Sequence, residues 1–357
     1  MESHDKLVLL LFKQHWCHFI SLFHIPQTFA LNGSIYSYLM LTCILYVTLQ
    51  LGNQGTVTEA AGFNPEDDSK RLREAMKGAG TNEATIIEIL AHRTIAQRQS
   101  IKEAFKRSVG KDLPDELRSE LTGNFEKVVL GLLMPAPVYD AYELRNAIKG
   151  AGTDEACLIE ILASRTNDEI RALRTCYKTE YDRDLEEDIC GDTSGMFCRV
   201  LVSLLTVTFC CSEQELYEAG EARWGTDEVK FLTVLCVRNR NHLLQVFEEY
   251  RKISGRDIED SIKREMSGCL EDVLLAIVRC MKSKTGFFAE RLYKSMKGLG
   301  TTDSILIRVM VSRAEIDMVD IKAEFLKMYG KTLYSFIKGD TSGDYRKILL
   351  ELCGGEK

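Results

Sequence analysis

From about residue 62 onward, apolar residues return every three to four positions with polar residues between them, the period of an amphipathic helix. Leu72, Ala75 and Met76 share one face of a first helix. A second, with Thr81 as its N-cap and Glu83 in its first turn, carries the apolar stripe Ile86, Ile87, Ile89 and Leu90. A third holds Ile101, Ala104 and Phe105 and stops at Gly110. A fourth runs through Leu113 and Leu117 to Glu120. A fifth holds Phe125, Val128, Val129 and Leu132 and is followed by Pro135 and Pro137. With only five Pro in the chain, this pattern predicts an all-α protein with five short helices per unit.

The unit recurs. Glycine turns read Met76-Lys-Gly-Ala-Gly-Thr81, Ile148-Lys-Gly-Ala-Gly-Thr153, Gly220-Glu-Ala-Arg-Trp-Gly-Thr226 and Met296-Lys-Gly-Leu-Gly-Thr301, with Thr-to-Thr steps of 72, 73 and 75 residues. Twelve residues after each Thr stands an arginine: Arg93, Arg165, Arg238 and Arg313. Thirty-nine residues after it stands an acid: Glu120, Asp192, Glu265 and Asp340. A fixed period of this length marks a repeat architecture. The divisions expected are a head at 1–58 and repeats at 62–134, 135–205, 206–283 and 284–357. The arginine ends the second helix, a place for a guanidinium that ties helix carbonyls and a carboxylate together.

The head differs in character. Residues 14–58 hold no Asp, Glu, Lys or Arg, and Ile35–Leu51 is apolar or neutral throughout. That stretch falls short of the roughly 20 residues of a comfortable membrane span. Ser37, Thr42, Thr48 and Gln50 dilute it, and no basic cluster flanks it. An anchored integral membrane protein is therefore one rival reading, set against an untypical leader.

The formal charge is −7. This argues against nucleic acid as a main partner, because a phosphate-binding surface needs clustered Lys and Arg. It argues against an anionic membrane too, unless cations held by the protein reverse the local charge. Twelve Cys do not recur with the repeat: Cys157, Cys176, Cys190 and Cys198 lie in the second unit, Cys236 and Cys269 in the third, and the first has none. Most read as buried free thiols of a cytosolic protein rather than a disulfide framework. No paired Cys or His spacing supports zinc.

A glycine turn can aim several carbonyls at one point, since Gly accepts positive φ and carries no Cβ. The carbonyls of Met76, Gly78 and Gly80 would then need an anionic partner, which Glu120 can supply from the distant loop between the fourth and fifth helices. Calcium takes about 6–8 oxygens in irregular geometry, so it suits such a set better than magnesium. With one carboxylate per site, a lipid phosphate oxygen is the natural ligand for the open position. A plain helix C-cap accounts for one such turn but not for four copies with an acid at an identical offset. Gly330-Lys331-Thr332 looks like the tail of a P-loop, but Phe325 stands where its first Gly is needed, and no EF-hand loop is present.

The Lys-Gly-x-Gly-Thr turn with its distant acid, four times over, resembles the annexins across about residues 56–357. Leu158-Ile-Glu-Ile-Leu-Ala-Ser-Arg-Thr166 and Ser335-Phe-Ile-Lys-Gly-Asp-Thr-Ser-Gly-Asp-Tyr-Arg346 carry the likeness further. It implies four five-helix repeats packed as a curved disc, with calcium-dependent binding to acidic phospholipids and organisation or aggregation of membranes. Carried over by position, the metal ligands are Met76, Gly78, Gly80 and Glu120; Ile148, Gly150, Gly152 and Asp192; Gly220, Arg223, Gly225 and Glu265; and Met296, Gly298, Gly300 and Asp340. Trp224, within the third turn, is similar to a Trp that meets the lipid interface. The likeness further implies a non-enzymatic protein, peripheral on the cytosolic face of plasma or vesicle membranes and able to associate laterally there. A calcium-dependent lipid hydrolase is a rival, but no Gly-x-Ser-x-Gly supports it. Two departures stand out. The head is atypical, with no motif that names a partner, and Leu204 to Ser212 runs almost directly into Glu215, which truncates the first helix of the third repeat.

Overall fold

The computed structural model describes residues 54–356 except 79, 151, 207–239 and 299. Among the described residues there are eighteen α-helices and no strand, so the all-α expectation holds. The first repeat contains α1 (Pro65–Ala75), α2 (Glu83–Leu90), α3 (Ile95–Val109), α4 (Leu113–Glu120) and α5 (Gly123–Leu132). The second contains α6 (Ala136–Ile148), α7 (Glu155–Ser164), α8 (Asn167–Tyr181), α9 (Leu185–Asp192) and α10 (Gly195–Leu205). Of the third, α11 (Arg240–Ser254), α12 (Ile258–Glu265) and α13 (Gly268–Lys282) are described. The fourth is α14 (Lys284–Met296), α15 (Asp303–Arg313), α16 (Met318–Tyr329), α17 (Leu333–Asp340) and α18 (Gly343–Leu352). Residues 1–53 of the head, Ile35–Leu51 among them, and the first helix of the third repeat lie outside the described residues. No described helix is long and apolar enough to cross a membrane.

Local chemistry sets the helix ends. Asn64 accepts from the N–H groups of Glu66 and Asp67, Pro65 opens α1, and the acids Glu66, Asp67 and Asp68 sit at its positive end. Thr94 and Gln97 form a capping box at the start of α3, and Gly110, at φ +78°, ends it. Thr166 and Glu169 repeat the box on α8.

In repeats one, two and four the first helix packs on the third: α1 on α3, α6 on α8 and α14 on α16. The buried faces are those the periodicity picks out, among them Leu72, Ile89, Phe105, Leu117 and Val128, each 1% exposed or less. Each such side chain contributes roughly 1.5–3 kcal/mol by leaving water. Ile89→Ala, which leaves a cavity, would cost about 2–5 kcal/mol.

Repeats pack on one another through equivalent helices. Helices α7 and α10 meet α13, while α15 and α18 meet α5 and α18 also meets α2. Repeats two and four are further joined by a buried ion cluster. Arg308 donates through Nε to Glu160 Oε1 at 2.8 Å, and Arg291 through Nε to Glu160 Oε2 at 2.8 Å. Burial alone would raise the Glu160 carboxyl, yet Arg308 and Arg291 outweigh it and hold the group below the usual carboxylate range. The segment before α1 also closes onto the fourth repeat: Val57 N–H donates to Ala314 O at 3.0 Å, and Val319 N–H to Gln54 O at 2.9 Å. Gly55 lies so close to the Glu315 backbone that a Cβ there would collide with it.

Candidate metal centre

Each described glycine turn is closed by one backbone hydrogen bond across seven residues. Asn82 N–H donates to Ala75 O at 2.8 Å, Asp154 N–H to Ala147 O at 2.9 Å, and Thr302 N–H to Ser295 O at 2.7 Å. Inside these staples both glycines take positive φ: +107° and +105° at Gly78 and Gly80, +130° and +100° at Gly150 and Gly152, and +118° and +90° at Gly298 and Gly300. A Cβ at any of the six would meet nothing within 4 Å. Backbone conformation, not crowding, therefore requires glycine here. Among the described hydrogen bonds none ends on the carbonyls of these six glycines, which leaves their oxygens available.

The acids occupy one structural position. Glu120, Asp192, Glu265 and Asp340 are the last residues of α4, α9, α12 and α17. Three residues on, Gly123, Gly195, Gly268 and Gly343 turn the chain at φ +61° to +68° into the next helix. The 39-residue gap between turn and acid is bridged by a side-chain contact. Thr81 Oγ1 donates to Glu120 Oε2 at 3.0 Å, Thr153 Oγ1 to Asp192 Oδ2 at 2.6 Å, and Thr301 Oγ1 to Asp340 Oδ2 at 2.5 Å. The expected N-cap role of Thr81 is corrected by this geometry. Asn82 caps α2 through its side chain, and Asp154 caps α7 in the same way, which frees the threonine hydroxyl to hold the acid.

Among the described residues, no group of three or more His, Cys, Asp and Glu could hold a metal ion. A cation at the turns must therefore draw mainly on carbonyl oxygens and one carboxylate. That is an all-oxygen set suited to a hard ion that tolerates irregular coordination. A polar pocket of about 360 Å³ adjoins Glu120 and is lined also by Glu83, Thr122, Asn124, Asp344 and Tyr345, so it spans the first and fourth repeats. In the third repeat Glu265 is exposed at the end of α12. Gly220, Arg223, Trp224, Gly225 and Arg238 lie outside the described residues.

The repeated arginines are structural anchors. Arg93 binds Asp68 through Nε at 2.6 Å and Nη2 at 3.1 Å, and Arg165 binds Asp140 through the same atoms at 2.6 and 2.8 Å. Both aspartates lie 25 residues before their arginine. In the fourth repeat that position is Phe288, and the Arg313 guanidinium lies 4.7 Å from its ring centroid. Its carboxylate comes instead from Asp317 on its C-terminal side, at 2.8 and 2.5 Å. The expected carboxylate tie is thus present three times. A carbonyl tie appears at Arg93, which donates to its neighbour His92 O at 3.1 Å.

The described cysteines are free thiols. Cys157, Cys280 and Cys353 are buried as expected, and burial pushes the Cys280 thiol up to about 12 and the Cys353 thiol to about 11. The other four described cysteines depart from the expectation of burial: Cys190 is exposed, and Cys176, Cys198 and Cys269 are half-buried.

Comparison with known proteins places this geometry among its relatives. The Annexin family model matches residues 67–132, 139–204, 212–277 and 287–352. Annexin A4 of Mus musculus is 64% identical over 313 residues, which cover 85% of this chain and 98% of that protein. The solved structure of annexin III superposes with a TM-score of 0.79 at 45% identity, covering 86% of this chain and 98% of the other. The crystal structure of calcium-bound annexin (Sm)1 matches at TM-score 0.72 and 33% identity, covering 85% and 94%.

Proposed function

The chain belongs to the annexin family, and from that premise we propose that its four repeats bind calcium and thereby attach the protein reversibly to acidic phospholipid membranes. The ligands are the carbonyls of Met76, Gly78 and Gly80 with the carboxylate of Glu120, those of Ile148, Gly150 and Gly152 with Asp192, those of Gly220, Arg223 and Gly225 with Glu265, and those of Met296, Gly298 and Gly300 with Asp340. The observation that carries this reading is the threonine–acid hydrogen bond. In three repeats it brings the only anionic ligand to the glycine turn, 39 residues away in sequence. A calcium ion bound there supplies the positive charge that a chain of net charge −7 lacks for holding anionic lipid. The protein's own part is to keep the carbonyls free by positive-φ glycines, to hold the carboxylate in register, and to leave coordination positions open to a lipid phosphate oxygen.

Trp224, within the third turn, belongs at the lipid interface, where an amphipathic ring is at home. The role is non-enzymatic. It is exercised peripherally on the cytosolic face of plasma or vesicle membranes, with lateral self-association and membrane organisation, aggregation or vesicle trafficking as its consequences. Co-sedimentation with phosphatidylserine vesicles tests the proposal: the full chain should pellet with calcium and return to the supernatant with chelator. Equal sedimentation in both conditions would refute it and would favour anchoring through Ile35–Leu51.

A further inference from the structure

We propose that Cys190 and Cys198 are a redox-closing pair of thiols whose disulfide weakens the second calcium loop, an inference that rests on the reading of Asp192 as a ligand. The Cys198 thiol donates to Cys190 Sγ at 3.5 Å, the two residues lying eight apart on α9 and α10. Cys190 is exposed and Cys198 half-buried, so a small oxidant reaches them, whereas Cys157, Cys280 and Cys353 are buried. The pair brackets the site: Cys190 lies two residues before Asp192 and Cys198 six after it.

The other repeats make the pair conspicuous. The same two positions hold Arg118 and Glu126 in the first repeat, Lys263 and Glu271 in the third, and Lys338 and Arg346 in the fourth. Only the second repeat replaces two charged surface residues with two thiols, and the fold sets those thiols side by side.

A peroxide is the oxidant the pair can use. The Cys190 sulfur attacks a peroxide oxygen, the O–O bond breaks, and a sulfenic acid forms as one water leaves. The Cys198 sulfur then attacks that sulfur, the S–OH bond breaks, the S–S bond forms and a second water leaves. The two thiols are oxidised, the peroxide is reduced, and their protons end in the waters. A dithiol reductant reverses the bond by exchange.

Closure to an S–S bond of about 2.05 Å draws the sulfurs roughly 1.5 Å nearer than their present separation. The bond ties the last turn of α9 to the first turn of α10 across the segment that holds Asp192, Thr193 and the positive-φ turn at Gly195. Thr153 Oγ1 holds Asp192 by a 2.6 Å hydrogen bond at the end of α9. Moving the last turn of α9 against α10 takes the carboxylate out of register with the turn at 148–153.

The test uses the full chain treated with hydrogen peroxide and then alkylated and cut with trypsin. Residues 184–199 form one tryptic peptide whose only cysteines are Cys190 and Cys198. It should appear lighter by two hydrogens, unalkylated, and be restored by dithiothreitol. In co-sedimentation with phosphatidylserine vesicles, the oxidised chain should need roughly two- to threefold more calcium, the effect being limited because other sites still bind. Cys190→Ser should bind as the reduced chain does and show no such shift with peroxide. A peptide that stays doubly alkylated, or that gains oxygens without closing, overturns the proposal, as does a disulfide that leaves the calcium requirement unchanged. Asp192→Asn in reduced protein separates the two readings. If it binds with an unaltered calcium requirement, the ligand assignment and the calcium effect both fall, while the peptide mass still decides whether the bond forms.

Discussion

Replacing Thr81, Thr153 and Thr301 together by valine should raise the calcium needed for half-maximal vesicle binding about fivefold. Each substitution keeps a β-branched side chain of similar volume and removes the hydroxyl that donates to Glu120, Asp192 or Asp340 at 3.0, 2.6 or 2.5 Å. A hydrogen bond to a charged group is worth about 1.5–3 kcal/mol when shielded, but these pairs are exposed or half-exposed and water competes, so about 1 kcal/mol remains. At roughly 1.4 kcal/mol per factor of ten, that is about a fivefold loss in each site. Changing one threonine alone should move the midpoint less than about twofold, because the remaining sites still hold the membrane. The triple serine variant keeps the hydroxyls and should bind as the parent does. Thermal unfolding should hardly change, since Asn82 and Asp154 cap α2 and α7 without the threonines. A triple valine chain with the parent's calcium requirement would refute the idea that the hydroxyl positions the acid. A triple serine chain as weak as the valine one would move the effect to packing.

Asp192→Asn and Asp340→Asn should each raise the calcium requirement modestly and together raise it much more, with helical circular dichroism unchanged; an unaltered requirement in the double variant would remove both acids from the ligand set. Asp140→Asn should lower stability by about 3–5 kcal/mol, because it leaves the Arg165 guanidinium, 6% exposed, without its carboxylate; urea unfolding measures this, and a loss under 1 kcal/mol would show the pair is not the anchor described. In a Trp16→Phe chain, Trp224 fluorescence should shift to the blue and become shielded from aqueous quenchers only with calcium and acidic vesicles. Emission already blue and shielded without calcium would make Trp224 a core residue.

The features legible in the sequence are those in which a residue type answers to backbone conformation. Gly78, Gly80 and their counterparts hold φ values that other residues adopt only under strain, so the requirement surfaces as a letter at a fixed place. The acid at the end of the fourth helix is legible for a related reason: that helix is eight residues long in every repeat, and although the second and third helices vary in length, the distance from turn to acid stays at 39 residues. Thr81 was less transparent. Threonine before an acidic first turn is what an N-cap looks like, and the true cap, Asn82, stands right beside it. Only the fold shows that the hydroxyl points to a residue 39 positions away.

The arginine anchors show where spacing stops being informative. Asp68 and Asp140 share one offset from their arginines, but Phe288 occupies that offset in the fourth repeat, and Asp317 supplies the carboxylate from the opposite direction along the chain. The requirement that persists is for a buried guanidinium to have a bidentate partner; the chain position of that partner is free. The same logic applies at Cys190 and Cys198. Three repeats carry charges there and one carries thiols, so these positions on the fourth and fifth helices are not held to one chemistry. The proposed calcium ligation constrains both position and chemistry. On that proposal an acid stands at one offset from the turn in every repeat, while the residues two positions before it and six after it are free to differ, which leaves room for a thiol pair in one repeat alone.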